Sequence, residues 1–463
     1  MRIRVLTLLC LAYLSGLPNL WSQSSPVVPE SVWEALSNEL SGDIAFDHLR
    51  YLTLYHSPNA GSEGFRLSAE WVAAKAEEIG LQDVETLSLN KPTRGWTIRS
   101  GEARIVSPFE LKLGDVRETP LRVAVNSHEA DVTALLVDVG EGTKESDYEG
   151  KDVKGKIVFA SGEPGTVHRM AVWEHGAVGV IAYGSRRRAY PDQMPWRQIS
   201  ERAPENETPS TFAWILTERE GERLREKLGR TDEPIEVKVS IDAEFGESTR
   251  GIVEGWIRGT DSSLPAVVLV AHLQEEKPSA NDNRSGCASL LEIGRSLARL
   301  IEEGRLPRPR RDIRFWWVDE IRAPYQYFAE NPDAAKRMLI AFNQDMVGAK
   351  LSLGPRSAIL GQTPYSRPSF VNDVALSVFE TVRKGNTAFP FTRGDTDEGA
   401  FARPMVATLG TREPFWAMAV PAYGNTDHLV FNDGRVGVPA VSLDNWPDPY
   451  IHSSDDDLWQ IDP

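Results

Sequence analysis

Cysteine is scarce in this sequence, with two residues among 463. Cys10 lies in an apolar run near the N-terminus, so removal of that run would leave Cys287 as the remaining cysteine of the chain. No intramolecular disulfide can then form. The fold must therefore be stabilised by its apolar core and by any metal that it binds.

The chain also lacks a block of basic residues. Its 51 Lys and Arg are outnumbered by 67 Asp and Glu, which gives a formal net charge of -16. Such a surface does not attract nucleic acid or anionic membranes, so we expect peptide or small-molecule substrates and no nucleic-acid partner. The length and the 41% hydrophobic content are sufficient for at least two domains with ordinary cores.

Long apolar segments are absent as well. The run 5–17 is too short to span a bilayer, but it follows Arg2 and Arg4 and precedes a turn-prone stretch, which is the order of a secretory signal. A buried N-terminal helix is the less favoured alternative, because the run has no amphipathic face. We predict a signal peptide over residues 1–22 and a secreted or periplasmic chain without membrane integration.

The middle of the chain differs from its flanks in the pattern of apolar and polar residues. From about Asp131 the segments ALLVDVGEG, VKGKIVFASG and AVGVIAYG alternate strand-like and helix-like patterns. We predict a separate small domain over residues 126–249, set between two parts of a larger domain at 27–125 and 250–463. The proline-rich stretch 191–210 is predicted to be a long loop near a substrate cleft.

The last part of the chain predicts the fold class. The segments AVVLVA and DIRFWWV are continuous apolar runs, each followed by a loop and a helix-like segment. This pattern is typical of strands that are covered on both faces. We predict an α/β fold with a mixed, largely parallel sheet flanked by helices.

Five potential metal ligands stand at or after predicted strand ends. They are His272, Asp282, Glu320, Asp345 and His452. Sites in open α/β sheets form outside the carboxyl ends of the strands, so these distant segments can converge. Two histidines and three carboxylates suit two zinc ions that share one bridging carboxylate.

A further acid, Asp319, precedes Glu320 and is a candidate base for the attacking water. Taken singly, each of these residues has a simpler interpretation: an Asp before Asn commonly forms a turn, and adjacent acids usually lie on a solvated face. The prediction of a metal site depends on the ordered set.

The same set carries a resemblance to a known family. The turn ANDNRSG at 280–286, the segment QDMVG at 344–348 and the late histidine in PDPYIHSSDDD resemble the co-catalytic zinc exopeptidases. That family includes aminopeptidase Y, bacterial leucyl aminopeptidases, glutamate carboxypeptidase and the non-enzymatic transferrin receptor. The middle region resembles the protease-associated domain of many members, and the resemblance covers nearly the whole chain after residue 22.

The resemblance implies a fold, a reaction and a set of roles. The implied fold is that of the zinc peptidases with an inserted, β-rich protease-associated domain, and the implied reaction is removal of residues from peptide ends, most favourably as an aminopeptidase. Two zinc ions are the implied cofactors. By this resemblance Asp282 bridges the two ions. His272 and Asp345 hold one ion, and Glu320 and His452 hold the other. Asp319 is the implied general base.

Departures from the family pattern keep other hypotheses open. Most members have Glu at the position of Asp319 and Asp at that of Gln274, so a metal-retaining but inactive binding protein is the second hypothesis. Arg284 replaces a small residue; it either faces solvent or grips a substrate carboxylate, which would favour a carboxypeptidase. A glutaminyl-cyclase-like relative with a single zinc is a third hypothesis, which the pair His272 and Asp345 disfavours.

The substrate pocket is predicted from weaker signals. The segment TDHLVF resembles a family segment near the pocket, which makes Asp427 and His428 candidate substrate-binding residues together with Arg284. Arg393 and Asp395 either line the pocket or cap a loop. Family members usually continue into a closing helix, so we expect either that the sequence is truncated at Pro463 or that this helix is missing.

Overall fold

The computed structural model describes residues 27–184, 189–200, 210–392 and 415–463. The predicted signal peptide, Arg393 and Asp395 lie outside these residues. Among the described residues, no helix combines the length and the apolar character needed to cross a membrane.

Nine α-helices and thirteen strands form in the described residues. In chain order the helices are α1 Glu30–Glu39, α2 Gly42–Leu52, α3 Glu63–Glu78, α4 Pro164–His168, α5 Glu218–Leu228, α6 Gly286–Glu302, α7 Arg322–Glu330, α8 Phe370–Thr392 and α9 His428–Asn432. The strands are β1 Gln82–Ser107, β2 Leu111–Asp115, β3 Ala130–Asp138, β4 Ile157–Ala160, β5 Gly179–Ala182, β6 Ala213–Ile215, β7 Glu236–Ile257, β8 Ala266–His272, β9 Ile313–Val318, β10 Met338–Gln344, β11 Ser357–Gly361, β12 Ala417–Val420 and β13 Ala440–Trp446.

The strands join into one mixed sheet in the order β12-β11-β13-β10-β8-β9-β7-β3-β4-β5-β6, and β1 pairs with β7 and β2. Neighbours are parallel from β13 through β10 and β8 to β9, and again from β3 to β6. The predicted fold class, a largely parallel sheet flanked by helices, is thereby confirmed.

Helices cover both faces of the central strands. In β9 the side chains alternate: Phe315 and Trp317 pack in the cluster that contains residues of α3 and α6, whereas Trp316 and Val318 pack in the cluster that contains residues of α7 and α9. All four side chains are fully buried. This double burial is why the segment is a continuous apolar run rather than an alternating one.

The strand β7 connects the two halves of the sheet. Its first residues pair with β3 and its last residues pair with β9, while β1 runs antiparallel along almost its whole length. Two apolar clusters pack on strands β3 to β6, one around Trp214 and one around Val158, and the first also contains residues of β1, β2 and β7. The insertion of a protease-associated domain over 126–249 stays a prediction.

Candidate metal centre

The carboxyl ends of three neighbouring parallel strands meet at one edge of the sheet. Strand β8 ends in His272, β9 is followed by Asp319 and Glu320, and β10 is followed by Asp345. Because β10, β8 and β9 are adjacent and parallel, these side chains are brought to the same place. The structure thus brings together the segments that the sequence analysis singled out.

Asp282 occupies the middle of the cluster. Its Oδ1 lies 3.3 Å from Nε2 of His272, and its Oδ2 lies 3.0 Å from Nε2 of His452. Nε2 of His272 also lies 3.3 Å from Oδ1 of Asp345. Each oxygen of one carboxylate therefore faces a different histidine, which is the arrangement expected of a bridging ligand.

The spacing of these atoms fits zinc. Two ligand atoms on a tetrahedral zinc lie about 3.4 Å apart when each bond is about 2.1 Å. Ligand atoms within 4.8 Å of one another form three sets in the described residues: His272, Asp282 and Asp345; Glu275, Asp282 and His452; and His272, Glu275 and Glu320. Two of the sets share Asp282, so the donors present suit two ions.

The turn 280–285 holds Asp282 in place. The Asp456 carboxylate accepts hydrogen bonds from the backbone N–H of Asn281 at 2.7 Å and of Asp282 at 3.0 Å. The Asn283 side chain donates to the carbonyl of Gln344 at 2.9 Å, which ties the turn to the end of β10. These contacts fix the backbone and leave the Asp282 carboxylate directed at the histidines.

The site carries excess negative charge. Burial disfavours a charged imidazole, yet Asp345 and Glu320 raise the pKa of His272 well above its usual value. Burial also raises the pKa of Glu320 to about 8, with Asp427 adding to the effect. The carboxylates that favour a positive charge on His272 would also be stabilised by a bound cation.

The side chain of Gln274 contacts Glu320, and the backbone carbonyl of Gln274 contacts His272. The carbonyl oxygen of Gln274 lies 3.1 Å from Nδ1 of His272 and so directs Nε2 toward Asp282. The Gln274 side chain accepts from the backbone N–H of Glu320 at 2.8 Å, and its Nε2 lies 3.5 Å from Oε2 of Glu320. The neutral residue at this position therefore leaves the candidate ligand His272 oriented.

Asp319 is buried beside the ligands but belongs to none of the three ligand sets. Its backbone N–H donates to the carbonyl of Gly251 at 2.8 Å. Among the described residues its Oδ2 has no hydrogen-bond partner. Burial raises the pKa of this carboxyl to about 6. The group is therefore suited to exchange a proton near neutral pH.

Asp427 and His428 lie beneath the turn that follows β9. Oδ1 of Asp427 accepts from the backbone N–H of Ile321 at 2.7 Å, and burial raises its pKa to about 7. Nε2 of His428 lies 2.7 Å from the carbonyl oxygen of Tyr423, and burial lowers its pKa to about 4. Both side chains are buried, and Asp427 supports the turn that carries Glu320, whereas His428 contacts Tyr423. The contact of either residue with substrate stays a prediction.

Arg284 is fully buried, so it does not face solvent. Its guanidinium donates to the carbonyl of Leu273, to that of Tyr55 at 3.2 Å and to Oγ of Ser57 at 2.5 Å. These contacts tie the loop after β8 to the segment before α3. Both terminal nitrogens are thus bonded within the protein, and the buried guanidinium is not placed to grip a substrate carboxylate.

Glu275 is the residue of the cluster that the sequence analysis missed. It belongs to two of the three ligand sets. The available signal was the acidic pair Glu275 and Glu276, three residues after His272, but adjacent acids are usually solvated. Their burial is visible only in the folded chain.

Known proteins share the fold of this chain and part of its sequence pattern. Residues 253–417 match the model of Peptidase family M28. A Peptidase M28 precursor from Shewanella amazonensis is 20% identical, with a TM-score of 0.61 over 93% of this chain and 92% of the other. A zinc aminopeptidase from Bacillus subtilis is 17% identical, with a TM-score of 0.55 over 91% of each chain. An aminopeptidase from Aneurinibacillus is 21% identical, with a TM-score of 0.51 over 93% of this chain and 91% of the other.

At these identities the solved structures establish a shared fold. A comparison with curated proteins finds no match.

Proposed function

Residues 253–417 are a Peptidase family M28 domain, which confirms the predicted resemblance to the co-catalytic zinc exopeptidases, and from this premise we propose that the chain is an exported aminopeptidase with two zinc ions. The observation that carries the proposal is the Asp282 carboxylate, whose two oxygens face His272 and His452 at 3.3 and 3.0 Å. One centre would be held by His272, Asp282 and Asp345, and the other by Asp282, Glu320 and His452.

Zinc held by these ligands would supply Lewis acidity for the scissile carbonyl and for the attacking water. The chain supplies the proton transfers. Asp319, with an Oδ2 that has no partner among the described residues, accepts the proton of the water and delivers it to the leaving amine. With a pKa of about 6, this carboxylate is largely ionised at neutral pH and still basic enough to act.

The surroundings favour the amino end of a peptide. Asp427 and Asp319 add buried acidic groups beside the ligands, and an acidic site attracts a substrate ammonium and repels a terminal carboxylate. Arg284, the candidate clamp for a carboxylate, is fully buried, and both of its terminal nitrogens donate to backbone carbonyls or to Ser57. The two solved structures described as aminopeptidases support the same choice.

The test is mass spectrometry of a peptide mixture incubated with the purified chain. We expect ladders that shorten from the N-terminus, disappear with a chelator and return with added zinc. Ladders from the C-terminus would replace the aminopeptidase proposal with a carboxypeptidase. The absence of ladders from zinc-loaded protein would instead favour the inactive binding protein.

Export rests on the N-terminal sequence, with its basic residues, apolar run and turn-prone stretch. Expression of the full chain in a bacterium, followed by N-terminal sequencing of the protein in each fraction, tests it. We expect the secreted or periplasmic protein to begin near Gln23. An uncleaved N-terminus in the cytoplasmic fraction would contradict export.

A further inference from the structure

The Glu275 carboxylate has no role in the reaction described above, although it lies within the metal centre. The residue is 8% exposed. Its backbone is fixed by paired hydrogen bonds with Ser57, each of 2.8 Å, and its carbonyl accepts from Nη2 of Arg284 at 3.3 Å. These hydrogen bonds fix the backbone of the loop after β8 at Glu275, and the fixed backbone limits the directions that the Glu275 side chain can take.

The carboxylate lies among the ligands of both centres. Its Oε1 is 3.9 Å from Nδ1 of His272. Its ligand oxygen lies within 4.8 Å of those of Asp282 and His452, and in a second set within 4.8 Å of those of His272 and Glu320. No ligand set of the described residues contains Glu320 together with His452. In this structure it is Glu275 that completes a set with the late histidine.

The negative charge around Glu275 also favours a bound cation. The Glu275 side chain is buried, and its carboxylate lies close to that of Asp282. A buried carboxylate next to other carboxylates is costly unless a cation or a proton compensates it. Four carboxylates, from Asp282, Asp345, Glu320 and Glu275, balance the four positive charges of two divalent ions.

We propose that Glu275 is a ligand of the second metal, together with Asp282 and His452. This assignment rests on the proposed function, since it takes the two-metal site as given. It makes the second centre richer in carboxylate than the first, because Glu320 stays within reach through its contacts with Gln274. Oxygen-rich sites accept harder divalent ions such as manganese more readily than nitrogen-rich sites do.

The test compares the zinc content of three full-length proteins: wild type, Glu275→Gln and the matched control Glu276→Gln. Glu276 is the adjacent buried acid, and it belongs to none of the ligand sets in the described residues. Each metal-free protein is titrated with zinc, and bound metal is counted by mass spectrometry. We expect two ions in wild type and E276Q, and a second ion bound at least about tenfold more weakly in E275Q.

Thermal unfolding with and without zinc distinguishes a metal ligand from a residue that only stabilises the fold. Removing one of several repelling carboxylates should leave the metal-free E275Q as stable as wild type or raise its Tm. The rise in Tm on adding zinc should shrink, because stabilisation by a ligand follows its affinity. Should E275Q fail to fold, Glu275→Asp retracts the carboxylate by one methylene, and its zinc count decides the question.

Two outcomes would overturn the assignment: two zinc ions bound by E275Q with wild-type affinity, or a lower metal-free Tm with unchanged zinc binding. Failure of the proposed function would look different. Wild-type protein that binds two zinc ions and leaves peptides intact would refute the aminopeptidase and leave the ligand assignment standing.

Discussion

Asp319 is the proposed group for proton transfer, whereas the adjacent Glu320 is a candidate metal ligand. It lies beside the ligand Glu320 in sequence, yet it belongs to no ligand set in the described residues, and its Oδ2 has no partner there. The neighbouring Glu320 is engaged by Gln274 through both its backbone and its carboxylate. Two adjacent acids therefore have different environments, which is how one site assigns different tasks to similar groups.

Replacement of Asp319 by Asn should abolish most peptide hydrolysis and leave zinc binding intact. The amide has the same shape but cannot take a proton, so we expect kcat to fall about 10²- to 10⁴-fold. Steady-state kinetics on an N-terminal peptide substrate, together with a zinc count, measure both quantities. The control is Asp319→Glu, which keeps the carboxylate and should retain activity. Wild-type kcat in D319N would remove Asp319 from the mechanism.

Replacement of Arg284 by Met should affect stability and not the end of the peptide that is cleaved. The loss of the guanidinium leaves carbonyls of Leu273 and Tyr55 without their donor, and each unpaired buried group costs about 1–3 kcal/mol. Urea unfolding should show a decrease of several kcal/mol. Arg66→Met, at an exposed ion pair on α3, should change the free energy of unfolding by about 0.5 kcal/mol or less. A folded R284M that switched between peptide ends would support a substrate contact instead.

At the scale of elements, the predictable parts of the site are those that follow a strand. The runs AVVLVA and DIRFWWV predicted β8 and β9, and the ligands after them fell at the expected sheet edge because parallel strands share a direction. Glu275 was not predictable in this way. Its burial depends on Arg284 and on Ser57, and Ser57 belongs to a segment more than two hundred residues earlier in the chain.

The strand β7 was also longer than the sequence indicated. Its central segment DAEFGESTRG is polar and contains glycine, which is typical of a loop. Pairing with β1 along almost the whole strand overrides this local preference, and such pairing between distant segments leaves no periodic signal in either one. The predicted boundary between residues 249 and 250 therefore falls inside a continuous strand and not in a linker.

The loop 189–200 of the middle region contacts the segment that carries His452. The backbone N–H of Trp196 donates to the carbonyl of His452 at 2.9 Å, and the two rings lie 5.6 Å apart. Met194 and Ser454 exchange two further hydrogen bonds, of 3.0 and 2.9 Å. These contacts place the described part of the loop beside His452, a candidate ligand whose side chain is partly exposed, and hold the backbone of that residue.

Replacement of Trp196 by Ala should therefore weaken metal binding at the centre that contains His452. We expect a loss of about tenfold in zinc affinity, the size of change that supporting residues around a metal produce. Zinc titration of the metal-free protein measures it. Trp173→Ala is the matched control, because that ring packs against the same apolar cluster and faces His168 instead of His452. Equal zinc affinities for the two variants would show that the loop does not position His452.

The whole molecule should lose stability in mild acid because of a histidine far along the chain from the metal ligands. His168 is fully buried, and burial lowers its pKa to about 4, with His128 adding to the effect. Its Nε2 accepts from the backbone N–H of Thr211 at 3.3 Å, a hydrogen bond that protonation removes. His56, whose pKa is lowered by desolvation to about 3, acts in the same direction.

The sign of the effect follows from the two pKa values. The unfolded chain binds a proton at His168 near pH 6.5, before the folded chain does, so acid favours unfolding. The stability is complete above about pH 6.5 and falls as the pH drops towards 4, by about 3 kcal/mol for this group. His168→Gln keeps an acceptor for Thr211 and removes the titration, so its free energy of unfolding should depend less on pH.

Urea unfolding of the metal-free proteins at several pH values between 4 and 8 measures this, since loss of metal in acid then makes no contribution. At pH 8 the histidine is neutral in both states, and any difference between H168Q and wild type there reports the change in packing. That difference should shrink or reverse as the pH falls. Parallel curves for the two proteins would mean that His168 takes up its proton without opposing the fold, and that the acid sensitivity lies in other groups.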